Sequence, residues 1–282
     1  MRLLMITNQT SPEGHAGFRE TYERMGGIGA SVRFVTPTAT AFTQGHDASL
    51  AELMKAGQED RRDVILVASP STFSHDRGWV DRFLRCAGNP VVLYYEGDSW
   101  HRWAKPINAS MGAWLTAADT VFAVAREPRT AFLRRRGAKQ VRFIPDTYCH
   151  VIFANAETTD PLDNAAVCVD ALVIGGGRAR WGHVSRVPGA VQRARLVRRL
   201  QRQRDVSLAL YGAGWSGRGA RGILPYRDQA TAIRHGLVAV NWDHFPNHES
   251  YASDRLPISL LAGRAHLTAA HPKCDWLPAE QA

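Results

Sequence analysis

The sequence predicts an α/β chain of two domains, each built on a parallel sheet. Three observations carry this. Short, almost wholly apolar segments alternate with helical ones nearly from end to end, the pattern of strands buried on both faces. The alternation breaks once, over residues 146–167, where Asp, Asn, Thr and Pro accumulate and no period is visible. Several apolar segments end in glycine or in a polar cluster, as strands do at the edge where such sheets bind ligands.

In the first series, RLLMIT over residues 2–7 reads as a strand, followed by a glycine-containing loop and a helix over 17–25. Residues 31–35 form a second strand and 49–58 a helix. DVILVA at 63–68 is a strand leading into the polar loop SPSTFS, and 78–87 is helical. PVVLYY at 90–95 is a strand ending in Glu96-Gly97-Asp98, with a helix over 107–117. A strand at 120–124, a helix at 128–136 stopped by Gly137, and a strand at 141–144 before Pro145 complete this half. The second series runs strand 171–174 ending in Gly175-Gly176-Gly177, helix 190–202, strand 206–211 ending in Gly212, and helix 227–235. Strand 237–241, helix 258–262 and strand 265–268 follow. The domains are placed at 1–150 and 168–282, with a linker over 151–167. Two Rossmann-like domains facing across a cleft are the simplest architecture, and ligands are expected at the carboxyl ends of the strands in that cleft.

The bulk properties fit. The chain has 282 residues and 45% apolar content, ample for two cores. No run of about 18 apolar residues is present, so no membrane span is expected. The opening MRLLMITNQTSPEG reads as a first strand, not a secretory signal. Cys86, Cys149, Cys168 and Cys274 show no CxxC spacing, so neither a zinc site nor a disulfide framework is implied, and a cytoplasmic protein is expected. The formal charge is +9, and nine arginines with no Asp or Glu lie between Arg178 and Arg204. Such a run serves phosphate binding, or a nucleic-acid or anionic-membrane patch, or merely decorates a solvated helix.

The chemistry-bearing residues cluster at strand ends. The glycine turn Gly175–Gly177 lets a backbone approach a diphosphate, though it does not complete GxGxxG. Arg178, Arg180 and Arg186 beyond it are placed to reach phosphates. Gly212 permits close approach of a ligand, and Trp215 can stack on a flat ring or pack over its own turn. Asp243 and His244, after the strand LVAVN, are candidates to contact a sugar. In YASDRLPISLLAG, Ser253 or Asp254 is expected to cap a helix that Pro257 opens and Gly263 ends, with Arg255 at the same terminus. In the first half, Glu96, Asp98 and His101 gather after one strand, where a carboxylate can deprotonate an acceptor hydroxyl. Glu13, Gly14 and His15 follow the first strand, and His15 is a second base candidate.

Strand-GGG, the arginine helix, LALYGAGW, GILPYRDQATAIRHGLVAVNW and YASDRLPISLLAG come in the order found in glycosyltransferases of the GT-B fold, and the chain resembles their CgeB-like or group 1 type. In that family an S-x-R-x-[FP]-x5-G element binds donor phosphate or ribose, and Ser253, Arg255 and Gly263 match it. IPDTYCHVIF (144–153) resembles the usual crossover between the domains. The resemblance implies an enzyme without a metal or other cofactor. A nucleoside-diphosphate sugar would be held in the second domain by Gly176, Gly177, Arg178, Arg186, Gly212, Trp215, Asp243, Ser253, Asp254 and Arg255. The acceptor, a small molecule or glycan, would lie against Glu13, Gly14, Glu96 and His101, with Asp98 or His15 as base. Two departures stand out. Many relatives carry Glu three positions after the Arg, where this chain has Ile258, and relatives continue with further helices where this sequence stops at Ala282. The alternatives are a non-catalytic nucleotide-sugar-binding partner protein, a nucleotide-sugar epimerase and, last, a nucleic-acid-binding protein using the arginine helix.

Overall fold

The structure is a computed structural model that describes residues 1–9, 15–27, 29–59, 62–97, 106–154, 167–176, 188–271 and 273–277. The chain divides into two compact units, the first ending at Ile144 and the second beginning at Pro145. Each carries its own all-parallel sheet. The fold is α/β with two Rossmann-like domains, as the alternation of apolar segments required.

The first unit has strands β1 (Arg2–Thr7), β2 (Ser31–Val35), β3 (Val64–Ala68), β4 (Val91–Glu96), β5 (Thr120–Ala123) and β6 (Val141–Phe143). Their order is β2-β1-β3-β4-β5-β6. The single reversal lies between β1 and β3, which opens a crevice at the carboxyl ends of those two strands. Alternate residues of one strand serve opposite faces. Leu4 and Ile6 join Ile65, Val67, Phe83 and Trp114 in one core, while Leu3 and Met5 join Leu66 and Ala68 in another. Helices α1 (Ala16–Met25), α3 (His46–Glu59), α4 (Arg77–Cys86), α5 (Ala109–Ala117) and α6 (Arg129–Arg135) lie where helices were expected. The helix α2 (Pro37–Gln44) was not expected. Two side-chain oxygens cap helix starts: the Asp76 carboxylate Oδ1 accepts from Trp79 N at 2.7 Å, and the Asn108 amide Oδ1 from Met111 N at 2.9 Å.

The second unit has β7 (Val169–Ile174), α7 (Pro188–Arg202), β8 (Leu208–Tyr211), β9 (Ala220–Gly222), α8 (Gln229–Arg234), β10 (Gly236–Val240), α9 (Arg255–Leu261) and β11 (Ala265–Leu267). The order is β11-β10-β7-β8-β9, with the reversal between β7 and β10. Leu172, Ile174 and Ala239 pack with Ile233 and Ile258 on one face, while Ala171, Val173 and Leu210 pack with Val197 on the other. Phe153 belongs to the first of these cores, so the chain just after Pro145 is already part of the second unit. No helix of the described residues is long and apolar enough to cross a membrane.

Candidate functional site

The crevice between β7 and β10 gathers more chemistry than any other place among the described residues. Gly175 and Gly176 leave β7 there, and Asn241, Trp242, Asp243 and His244 leave β10. Two glycines make the crevice possible. Gly189, in the first turn of α7, donates its N–H to His244 O at 2.8 Å, and a Cβ on it would lie 1.7 Å from Asp243 O. Only glycine lets the start of α7 press against the exit of β10. Gly212, at φ +131°, faces the turn after β7, and a Cβ there would meet Gly175 O at 2.4 Å.

The start of α7 sets Arg193 one turn further on, beneath the turn after β7. It is 1% exposed. Its Nε donates to Trp242 O at 2.8 Å and its Nη1 lies 3.1 Å from His244 Nε2. A guanidinium only donates, so His244 Nε2 is the acceptor and its ring proton sits on Nδ1. Burial first, and nearby Arg255 after it, bring the Arg193 pKa down to about 10, with Asp243 and Tyr251 opposing. The group remains charged at neutral pH.

Arg255 opens α9 from the other side of the crevice. A Cβ on Gly175 would lie 2.9 Å from Arg193 Nη1 and 3.6 Å from Arg255 Nε, so both guanidiniums flank that turn. Arg255 Nε is buried and has no hydrogen-bond partner among the described residues. Its Nη1 is 3.7 Å from Asp254 Oδ1. The expected side-chain cap of this helix is absent. Asp254 already has helical angles (φ −50°, ψ −20°), which carry its carboxylate away from the first N–H groups, and Ser253 offers its carbonyl to Leu256 N instead. With seven residues, α9 is also too short for its dipole to matter, so any attraction for anions here comes from the guanidiniums. Gly263 ends the helix at φ +70°, as expected.

Beneath Arg255 lies a cavity of about 10 Å³, room for one water, walled by Asn241, Ser259 and His266 among others. Ser259 Oγ donates to Arg255 O at 2.7 Å and therefore accepts from His266 Nδ1 at 2.9 Å. Burial pushes His266 down to about 4; Asp243 opposes, while His271 and Arg255 add to the lowering. Asp243 is 1% exposed; its Oδ1 accepts from Asn241 Nδ2 at 2.6 Å, and its Oδ2 is 3.4 Å from His271 Nε2, outside hydrogen-bond geometry. Ser253, 6% exposed, sits 3.3 Å from the same amide. Among the described residues, two guanidiniums thus share this crevice with one buried carboxylate. An anion held at the Gly175–Gly176 turn would offset the mutual repulsion of the two cations.

Trp215 is half-buried, packed against the core on the α7 face of the sheet. Its Nε1 donates to Gly175 O at 2.6 Å, so the indole braces the turn. In the first unit, His15 stands just ahead of α1, with Nε2 2.7 Å from Thr7 Oγ1 and its ring stacked 6.3 Å from Phe34. Burial lowers it to about 4, leaving it neutral at pH 7 and weakly basic. Glu96 is fully buried at the end of β4 and accepts from the Tyr94 hydroxyl at 2.6 Å, a place in the core instead of on an open rim. Asp98, Glu13, Gly14, His101, Gly177, Arg178 and Arg186 lie outside the described residues. Arg193 was not singled out in the sequence. The available signal was its register with Leu196, Val197 and Leu200, which puts it on the apolar stripe of α7. Among the described residues no group of three His, Cys, Asp or Glu side chains converges to hold a metal.

No family model matches the chain, and no curated protein matches its sequence. Solved structures do. A structure described as lipopolysaccharide outer core galactosyltransferase WaaB in its apo form aligns with a TM-score of 0.53 at 12% identity, over 95% of this chain and 80% of that one. The UDP-GlcNAc 2-epimerase from Methanocaldococcus jannaschii aligns with a TM-score of 0.49 at 9% identity, over 95% of this chain and 83% of that one. At such identities the likeness to the galactosyltransferase speaks for the fold alone, a GT-B-like chain of two Rossmann-like units.

Proposed function

We propose that the chain is a glycosyltransferase that binds a nucleoside-diphosphate sugar in its second unit and passes the sugar to a hydroxyl-bearing small molecule or glycan. The observation that carries this reading is the pair Arg193 and Arg255, flanking Gly175 at the point where the strand order reverses. Glycosyl transfer from such a donor expels a diphosphate, and negative charge grows on it in the transition state. Guanidiniums already fixed in a buried site stabilise that charge without having to reorganise. The galactosyltransferase likeness supports the fold in which this chemistry would occur. Asp243 and Ser253 would hold hydroxyls of the donor through the network around Asn241. Acceptor deprotonation would fall to Asp98, with His15, a weak base, orienting the hydroxyl.

The test is a thermal-shift and calorimetry panel with UDP, GDP, dTDP and ADP, repeated on Arg255→Ala. At least one diphosphate is expected to raise the melting temperature of the wild type. The variant is expected to bind it roughly 10- to 100-fold more weakly, the worth of one charge-assisted contact, while its own melt without ligand stays within about 2 °C of wild type or rises, because a repulsion is removed. Mass spectrometry with the matching nucleotide sugar then separates activities. Sugar transfer to an added acceptor supports the transferase, isomerised donor without acceptor an epimerase, and binding without turnover a non-catalytic partner. No response to any diphosphate sinks the reading.

A further inference from the structure

We propose that the exposed face of α7 adsorbs to an anionic lipid surface. The helix carries Arg195, Arg198, Arg199 and Arg202 in the open, lining one shallow depression. At 100° per residue these four fall within about 100° of arc, a single stripe two turns long. Among the described residues none of them makes an ion pair. Their sole hydrogen bond among the described residues is Arg198 Nε to Ala194 O, at 3.2 Å. Two of the four have a local reason to be there, since Arg199 and Arg202 sit in the last turn and complement the helix dipole. That account does not reach Arg195 or Arg198.

The geometry of the helix favours a flat partner. Its apolar stripe, Leu196, Val197 and Leu200, is already used against the sheet, so nothing is left to insert and the contact is electrostatic. No aromatic residue lies on the exposed stripe, so bases find nothing to stack on. A patch of guanidiniums spread over one side of a straight helix engages a planar layer of phosphates all at once, whereas a duplex curves away from it. The far end of α7 is held rigid: Arg218 donates to the carbonyls of Leu200 (2.6 Å), Gln201 (3.0 Å), Gln203 (2.6 Å) and Val206 (2.7 Å). These groups are distinct from Arg193, on the opposite face of the same helix, so the proposal is independent of the diphosphate site.

The experiment is vesicle flotation with phosphatidylcholine alone and with about 30 mol% phosphatidylglycerol added, at about 50 mM and about 500 mM salt. The wild type is expected to float with the anionic vesicles at low salt only, and not with neutral ones. Each Arg→Gln change on the stripe is expected to lower partitioning about fivefold, and the fourfold variant several hundredfold, with its diphosphate thermal shift unchanged. Arg195→Gln and Arg198→Gln, away from the last turn, serve as separate readouts should the fourfold variant misfold. Absence of anionic-vesicle binding at low salt, or binding that survives the fourfold change, overturns the proposal. So does a duplex DNA that binds through these arginines while vesicles do not.

Discussion

Unfolding free energy is expected to fall steeply as the pH drops from 6.5 to 4.5, and more steeply for the first unit than for the second. His15 and His75 in the first unit and His266 in the second are each held at about 4. Burial is the leading cause in all three. For His75 the neighbouring His46 adds to the lowering and Asp76 opposes it. A histidine depressed in the fold takes up its proton in the unfolded chain first, near 6.5. Between about 6.5 and 4 the unfolded state therefore holds more protons, and stability rises with pH. Full stability is present above 6.5 and is lost on the way down to 4. Each histidine contributes on the order of 3 kcal/mol across that window, so the first unit stands to lose about 6 kcal/mol, comparable to the net stability of a small domain. The exposed carboxylates of Glu59, hydrogen-bonded by Arg33, and Asp170, hydrogen-bonded by Ser207, are shifted down, as is that of Asp119, whose bonds from Val92 and Lys139 outweigh its burial. Denaturant melts at half-unit pH steps measure the slope. His75→Gln is the diagnostic variant: glutamine can accept the 3.0 Å bond from Trp114 Nε1 but cannot titrate, so the slope should shrink by about one proton. A flat profile from 6.5 to 4.5 would show that these rings are not buried neutral.

Gly212→Ala is expected to cost about 3 kcal/mol or more and to lower the melting temperature of the second unit by roughly 10 °C. The residue sits at φ +131°, and the new Cβ would meet Gly175 O at 2.4 Å, Gly175 C at 2.6 Å and Gly176 N at 3.1 Å. All three are backbone atoms of a turn already tied by Trp215 Nε1 to Gly175 O and by Gly175 N to Tyr211 O, so the strain has no flexible side chain to absorb it. Gly176→Ala is the contrast. Its Cβ would lie 3.8 Å from Ala213 O, ordinary contact, and the fold should keep its stability within about 1 kcal/mol. If the diphosphate sits on this turn, Gly176→Ala weakens its binding while leaving the melt in place. Equal melts for the two variants would falsify the packing argument.

Most of the scaffold was legible because strands of a doubly covered parallel sheet need apolar side chains on both faces, and runs such as RLLMIT and VILVA have few other uses. The helix α2 escaped because PTATAFTQ has no apolar period and its threonines are poor helix formers. Pro37 at its first position and Gly45 just past its end were the available marks. The strand β9 has three residues, Ala-Arg-Gly, and forms only because β8 offers it an edge. At the crevice, sequence order led to Arg255 and to the glycines after β7 and β8. It did not lead to Arg193, which looks like its eight arginine neighbours until the start of α7 is anchored. Nor could it say that Trp215 would give its N–H to Gly175, that Glu96 would turn to Tyr94, or that Asp254 would precede the helix without its side chain capping it. Those outcomes depend on backbone angles and on partners distant in the chain.

The contact between Gly189 and Asp243 O has a bearing on kinship. A backbone pressed that closely against another tolerates no side chain, so a descendant of the same ancestor can drift almost everywhere else yet must keep a glycine there. Gly189 four residues ahead of a buried arginine, answered by the Asp243-His244 step beyond the fourth strand of the sheet, is thus a fingerprint by which remote kin can be aligned when overall identity has fallen too low to guide the eye.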